Sequence, residues 1–180
     1  MSEFAKEDEL KKLLEDKFGT GVSALNIPRV RRVWLEAAPE KLVEILQFLK
    51  TAGYNHLSTI TGFDEGENLG AFYHATDTHI IATIKVKTPL AAPKLPTVTG
   101  IFPGAISYER ELEDLLGIKV EGLPPGRRYP LSDDFPKDQY PLRKSWKTAD
   151  FHAAVTPACS ALGGLSAAVK ASASETREAK

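Results

Sequence analysis

Cysteine is nearly absent from this sequence of 180 residues: Cys159 is the single one, so no disulfide can form within the chain. A conventional iron–sulfur cluster needs about four thiolate ligands. This chain therefore does not hold such a cluster alone. Any redox chemistry associated with it would belong to partner proteins.

The sequence also lacks long apolar runs. A membrane-spanning helix needs about 18 or more consecutive apolar residues, and no stretch of that kind occurs. The N-terminal segment MSEFAKEDELKK is charged and lacks the apolar centre of a secretory signal. We expect a protein without a transmembrane segment that is either cytosolic or lies on the cytoplasmic face of something larger.

Charge of one sign is not in excess. The formal net charge is -1, and the shares of hydrophobic residues (42%) and charged residues (26%) are ordinary for a globular protein. No overall field therefore attracts the chain to nucleic acid or to an anionic membrane.

Periodic apolar residues predict three helices. The first covers residues 5–18, and the second begins at Pro39 and ends near Gly53. The third lies within residues 97–117 and is interrupted near Pro103. A glycine follows each of these segments, as is common at helix ends.

Alternating residues predict strands between and after these helices. One strand is expected at residues 29–37, three in succession at 56–63, 69–76 and 79–87, and a short one at 118–122. A stiff linker is expected where three prolines follow the run of three strands: Pro89, Pro93 and Pro96. The predicted fold is α+β, with a small antiparallel or mixed sheet packed by helices.

The composition changes after residue 122, which divides the chain into a domain (1–122), an arm (123–150) and a tail (151–180). Residues 121–150 contain five of the twelve prolines, which excludes core helices and central strands. The apolar side chains there are too few to offset the ordering of the backbone, which costs about 1–2 kcal/mol per residue. We expect an extended arm that docks on a large partner, followed by a flexible, alanine-rich tail.

Carboxylates are concentrated in residues 109–117 of the third predicted helix. Arg110 and Asp114 are spaced for an ion pair on its surface. A solvated helix face is one interpretation of this pattern. Acid–base catalysis by Glu109, Glu111 and Asp114 is another, and it requires a dry pocket around them.

Basic pairs lie next to aromatic residues in the arm, at Arg127-Arg128-Tyr129 and Tyr140-Pro141-Leu142-Arg143-Lys144. Such a pattern occurs where single-stranded nucleic acid binds. Acidic residues between the two segments oppose that use, and docking on a protein is the better interpretation: Asp133, Asp134 and Asp138. His74 and His79 flank a predicted turn, but the sequence offers no third ligand for a metal ion.

Taken together, several short motifs resemble the thirty-kilodalton subunit family of respiratory complex I. They occur in order over about 45 residues: Ile101-Phe102-Pro103-Gly104-Ala105, Glu109-Arg110-Glu111, Asp114-Leu115-Leu116-Gly117-Ile118, Glu121-Gly122, Arg127-Arg128 and Pro141-Leu142-Arg143-Lys144. The resemblance covers roughly residues 25–150. Two departures, Leu123-Pro124-Pro125 in place of a histidine-containing run and Leu115-Leu116 in place of an aromatic residue, point towards membrane-bound [NiFe] hydrogenases or sulfur-reducing relatives.

The resemblance implies a cofactor-free structural subunit of an ion-pumping redox complex, peripheral on the cytoplasmic side of the cell membrane. We accordingly expect this chain to contain no catalytic, metal-binding or cofactor-binding residues. Its expected partners are the catalytic large subunit with its [NiFe] centre, an iron–sulfur subunit with its clusters, and, indirectly, antiporter-like membrane subunits; ferredoxin would donate electrons, and nucleic acid is not a partner. An equivalent role in an NADH–quinone oxidoreductase is the alternative. The residues expected to contact partners are Glu109, Arg110, Glu111, Asp114, Gly117, Arg127, Arg128, Pro141, Leu142, Arg143 and Lys144.

Overall fold

The computed structural model describes residues 4–149 and 151. Helix α1 (Ala5–Phe18) is the first element in this part of the chain. Leu10 and Leu14, one turn apart, are buried. Gly19 follows at φ +47°, a conformation that favours glycine, and ends the helix. The predicted helix therefore has the predicted bounds.

An antiparallel hairpin follows, with strands β1 (Val22–Arg29) and β2 (Arg32–Ala37). The sequence predicted one strand over 29–37; instead, β2 begins at Arg32 and residues 30–31 form the turn. Strand β1 was missed because its register is irregular and its alternation is therefore weak.

Helix α2 (Leu42–Thr51), entered through a short turn at Pro39–Lys41, and strands β3 (His56–Asp64), β4 (Asn68–Thr76) and β5 (Ile81–Pro89) agree with the prediction. The five strands form one mixed sheet in the order β1-β2-β5-β4-β3. The β2–β5 pair is parallel and the other pairs are antiparallel. The fold class is therefore the predicted one.

One face of this sheet forms the hydrophobic core with the helices. Alternate residues of β4 and β5 are fully buried there, for example Tyr73 and Ile84, which are paired across the two strands. From α2 the core receives Leu42, Ile45, Leu46 and Leu49. The opposite face carries half-buried aromatic and charged residues, so the domain has two layers rather than three.

The segment after β5 differs from the prediction. Strand β6 (Lys94–Pro96) lies within the expected proline linker and pairs in parallel with β7 (Lys119–Glu121). Between them, helix α3 (Ala105–Leu116) begins after Pro103 and ends at Gly117, whose φ of +68° is left-handed. Prolines suit a strand this short because it lies at the edge of a two-stranded sheet.

Residues 123–147 contain no helix or strand, as the proline content predicted. The expected flexible tail lies, apart from Phe151, outside the described residues, and so does Cys159. Within residues 4–149 and 151, no helix is long and apolar enough to cross a membrane.

Gly62 of β3 tests how closely α3 packs on the sheet. A Cβ atom there would overlap the side chain of Leu116 and lie 2.7 Å from Cδ2 of Leu112. We expect Gly62→Ala to lower the free energy of unfolding in urea by about 1–3 kcal/mol, as overpacking does. Gly100→Ala, where no atom lies within 4 Å, is the control; equal midpoints for both variants would contradict this packing.

Candidate partner-binding surface

Glu109 of α3 is fully buried, with 0% of its surface exposed. Its Oε1 accepts a hydrogen bond from the backbone N–H of Val98 at 2.6 Å, and its Oε2 accepts one from Thr97 Oγ1 at 2.6 Å. Burial raises the pKa of Glu109 above its usual value, against the effect of these two hydrogen bonds. The carboxylate thus joins α3 to the segment that precedes it in this chain, and it is not presented to a partner.

Arg110 contacts the arm rather than Asp114, with which the sequence analysis paired it. Its guanidinium donates to the carbonyl of Arg127 at 2.9 Å and to that of Pro124 at 2.8 Å. The predicted ion pair along the helix is therefore wrong, because two backbone acceptors in the arm take its place. Gly126 permits this close approach, since a Cβ atom there would overlap the guanidinium.

Asp114 instead pairs with Arg128. Arg128 Nε lies 3.0 Å from Asp114 Oδ1, and both side chains are largely buried, with 27% and 12% exposed. The same guanidinium donates from Nη1 to the carbonyl of Phe135 at 2.9 Å. One arginine thus connects α3 to two points of the arm.

The arm returns to the C-terminal end of α3 at Arg143. Its Nε donates to the carbonyl of Leu116 at 2.7 Å, where the partial negative charge of the helix end favours a cation. The guanidinium also lies over the ring of Tyr140, 4.3 Å from its centroid. Gly117 makes room for this contact, because a Cβ atom there would lie 2.5 Å from the Tyr140 ring.

A final contact joins the arm to the turn between β3 and β4. Asp64 accepts hydrogen bonds from the backbone N–H groups of Lys144 at 2.8 Å and Gly66 at 2.7 Å. Desolvation of Asp64 opposes ionisation, but these two hydrogen bonds together with the charges of Lys144 and Arg143 hold its pKa below the usual value. The arm is therefore attached to the domain at both ends of its path.

The exposed side of the arm carries the remaining residues of the expected site. Tyr129 and Leu142 are 52% and 53% exposed, although both are large and apolar. The side chain of Arg127 is 81% exposed, with Asp133 3.6 Å away, and Lys144 is exposed too. Pro141 and Glu111 are half-buried. We call the outward-facing set of Arg127, Tyr129, Leu142 and Lys144 the arm surface.

The geometry does not favour the other functions considered. Glu109 is enclosed and Asp114 is paired with Arg128, so no substrate reaches the first and the second is already neutralised. His74 Nδ1 lies 3.0 Å from Thr83 Oγ1. In the part of the chain that the structure describes, no three histidine, cysteine or acidic residues are grouped as metal ligands would be.

An aromatic group on the open face of the sheet was not predicted from the sequence. The ring centroids of Trp34 and Phe72 are 5.3 Å apart, and those of Phe63 and Phe72 are 4.6 Å apart. Lys85 lies over the Phe63 ring at 5.0 Å. Strand alternation could have placed Phe72, His74 and Lys85 on one face, had the strand order been known.

Residues 35–152 match the family described as respiratory-chain NADH dehydrogenase, 30 Kd subunit. The chain belongs to this family. The match includes the arm and all the residues expected from the sequence to contact partners. The resemblance to this family, stated from short motifs, is therefore confirmed.

Relatives within the thirty-kilodalton family come from different redox complexes. The membrane-bound hydrogenase subunit beta of Pyrococcus furiosus is 34% identical over 122 residues, 64% of this chain and 70% of that protein. An NADH-quinone oxidoreductase subunit of Moorella thermoacetica is 33% identical over 138 residues, 74% of this chain and 86% of that protein. The chain is thus similar to subunits of both kinds of complex.

Solved structures agree with this membership in the thirty-kilodalton family. A chain of the membrane-bound sulfane sulfur reductase, an archaeal respiratory membrane complex, superposes with a TM-score of 0.71 at 25% identity, covering 82% of this chain and 88% of that one. The trypsin-resistant fragment of Nqo5 gives a TM-score of 0.57 at 27% identity, covering 65% and 98%.

The buried Glu109 predicts a pH dependence of stability. A carboxyl whose pKa is raised in the folded state stabilises the fold at low pH, and this contribution is lost as the pH rises through the folded-state pKa. We expect the contribution of Glu109 to the free energy of unfolding to fall as the pH rises from about 4.3, the unfolded value. Glu109→Gln keeps an acceptor for Val98 N–H but does not titrate.

Urea unfolding between about pH 4 and pH 8 measures this difference. The fall due to residue 109 should be absent from Glu109→Gln. Glu109→Ala should be less stable than Glu109→Gln by about 1–3 kcal/mol, because a buried N–H is left without a partner. Parallel pH profiles for the wild type and Glu109→Gln would show that Glu109 does not titrate as stated.

The Asp114–Arg128 pair predicts how firmly the arm is attached. Asp114→Ala leaves Arg128 without its carboxylate, and we expect trypsin to cut after Arg128 about tenfold faster, equivalent to about 1.4 kcal/mol. Glu111→Ala removes the same charge from the same helix and should leave the cleavage rate unchanged. Equal rates for both variants would mean that the pair does not hold the arm.

Proposed function

We propose that this protein is a non-catalytic structural subunit in the hydrophilic part of a membrane-bound, ion-pumping [NiFe] hydrogenase that evolves H2 with electrons from ferredoxin. It packs on the catalytic large subunit through its arm surface. The protein itself holds no cofactor; the [NiFe] centre and the iron–sulfur clusters belong to the large subunit and the iron–sulfur subunit. The complex carries it peripherally on the cytoplasmic side, with antiporter-like subunits in the membrane.

The single observation that carries this proposal is that the arm is bonded to its own domain and yet leaves large apolar side chains exposed. Its backbone and the side chains of Arg128 and Arg143 are bonded to the domain at α3 and at the turn after β3. Two large apolar side chains, Tyr129 and Leu142, are nevertheless left more than half exposed. A segment attached to its own domain by polar contacts, with large apolar side chains turned outward, is suited to a protein interface with an apolar centre.

The hydrogenase is preferred on the two motif departures in the sequence and on the similarity to the Pyrococcus furiosus hydrogenase subunit. Two other kinds of complex are each favoured by one specific similarity. The NADH-quinone oxidoreductase subunit of Moorella thermoacetica favours an NADH–quinone complex. The structural likeness to the sulfane sulfur reductase chain favours a sulfur-reducing complex. In all three the chain has the same structural role.

Affinity purification from gently solubilised membranes tests this function. With a tag at the N-terminus, we expect a [NiFe]-type large subunit and an iron–sulfur subunit to co-purify, with H2 evolution from a reduced dye. The same partners without H2 evolution would favour the quinone- or sulfur-reducing complexes. Recovery of the chain without partners would contradict the structural role altogether.

Leu142→Glu tests the arm surface in the same preparation. A charge at an exposed position should leave the unfolding midpoint of the purified chain unchanged, while loss of a buried apolar contact with the large subunit should lower its recovery about tenfold or more. Val43→Glu on α2, also an exposed apolar position, is the control and should retain the partners. Equal recovery with both variants would place the interface elsewhere.

A further inference from the structure

Three arginines lie within four residues at the tip of the β1–β2 hairpin. Arg29 ends β1, Arg31 is in the turn and Arg32 begins β2. His79, in the turn before β5, lines the same open depression of about 420 Å3. We call Arg29, Arg31, Arg32 and His79 the basic tip; it lies at the opposite end of the sheet strands from the turn at Asp64, where the arm is attached.

The backbone of the basic tip is held in place by the domain. Arg31 has φ of +66°, a left-handed conformation unusual for a residue with a side chain. Its N–H donates to the buried Glu7 at 2.6 Å, and its carbonyl accepts from Ile81 N–H at 3.0 Å. The arginine side chains are thus presented from a rigid turn rather than from a mobile loop.

Two carboxylates at the basic tip bond to its backbone: Glu7 accepts from the N–H of Arg31, and Asp77 accepts from that of His79. Within residues 4–149 and 151, none of the three arginine side chains forms an ion pair. The lysines on the open face are different: Lys85 and Lys87 both lie within 4 Å of carboxylate oxygens of Glu36 and Glu65. The three guanidinium groups are therefore not paired with a carboxylate of the described residues, whereas these lysines are.

A depression lined partly by apolar residues adjoins the basic tip. A second depression of about 290 Å3 shares Arg29 and Arg32 with the first and extends to Trp34, Pro28 and His74. Burial and the nearby Arg32 lower the pKa of His74, so its ring is uncharged at neutral pH. A ligand placed here meets guanidinium groups at one end and an indole at the other.

From this juxtaposition we propose that the basic tip binds an acidic segment of a neighbouring subunit, with carboxylates on Arg29 and Arg32 and an apolar side chain beside Trp34. Arginine is suited to this use because its guanidinium binds carboxylates through two parallel hydrogen bonds. The inference rests on the proposed function, since the segment belongs to another subunit of the same complex. It adds a second contact, at the end of the sheet remote from the arm.

A polynucleotide fits this surface less well. Glu36 and Glu65 lie further along the same face, paired with Lys85 and Lys87, so this group has no net charge to attract a phosphate backbone extended over it. The rings of Phe63 and Phe72 pack on each other, and Lys85 covers them, so these two rings are not open for stacking with bases. A short acidic segment needs only the basic tip and the depression beside it.

Site-specific photocrosslinking in the purified complex tests the inference. The photoreactive amino acid p-benzoylphenylalanine replaces Val30, which is 40% exposed between two of the arginines, or Val43 on α2 as the control position. We expect an adduct from position 30 with a peptide of another subunit that contains more acidic than basic residues. The Arg29→Glu/Arg32→Glu variant should lower its yield about tenfold, because like charges then oppose each other.

Lys12→Glu/Lys119→Glu changes the net charge equally and should leave the yield unaltered. An adduct with nucleic acid or with a basic or uncharged peptide would overturn the inference, as would an unchanged yield in Arg29→Glu/Arg32→Glu. So would the absence of any adduct from a complex that keeps its subunits. A preparation without partner subunits would instead show that the proposed function itself has failed, and the inference with it.

Discussion

The carboxylate of Glu109 determines where helix α3 lies, because it is the buried polar group that connects the helix to the chain entering it. Its two oxygens bind the segment at Thr97 and Val98, directly after β6. Strand β6 in turn pairs in parallel with β7, the strand that follows α3. Because the segments before and after α3 are held in this way, the helix has a fixed position. Its outer face therefore places Arg110, Asp114 and the Leu116 carbonyl where they contact the arm.

The arm shows how a proline-rich segment becomes ordered without forming secondary structure. Proline has already reduced the freedom of its unfolded backbone, so less entropy is lost on ordering. The domain then provides a hydrogen-bond donor for the arm at Arg110 and an acceptor at the carbonyl of Leu116. The sequence predicted that a partner would order the arm, and α3 of the same chain contacts it as well.

Regular, periodic elements were predictable from the sequence, whereas long-range polar contacts were not. Helix α1 and strands β3, β4 and β5 have clear periods and clear turn residues at their ends. Strand β1 lacks a regular alternation, and no local pattern could show that β2 pairs in parallel with β5. The ion-pair partner of Asp114 could not be predicted from the sequence either. Arg110, four residues away, and Arg128, fourteen residues away, are equally plausible until the path of the arm is known.

The irregular β1 has a consequence for the protein before it meets any partner. A straight edge strand offers a row of free N–H and C=O groups to which another chain can add, and this leads to aggregation. In β1 the register shifts twice, Ala24 has φ of +49°, and Pro28 lacks an N–H. These features make the edge a poor template for intermolecular strand addition, so newly synthesised copies are protected from one another while they await assembly.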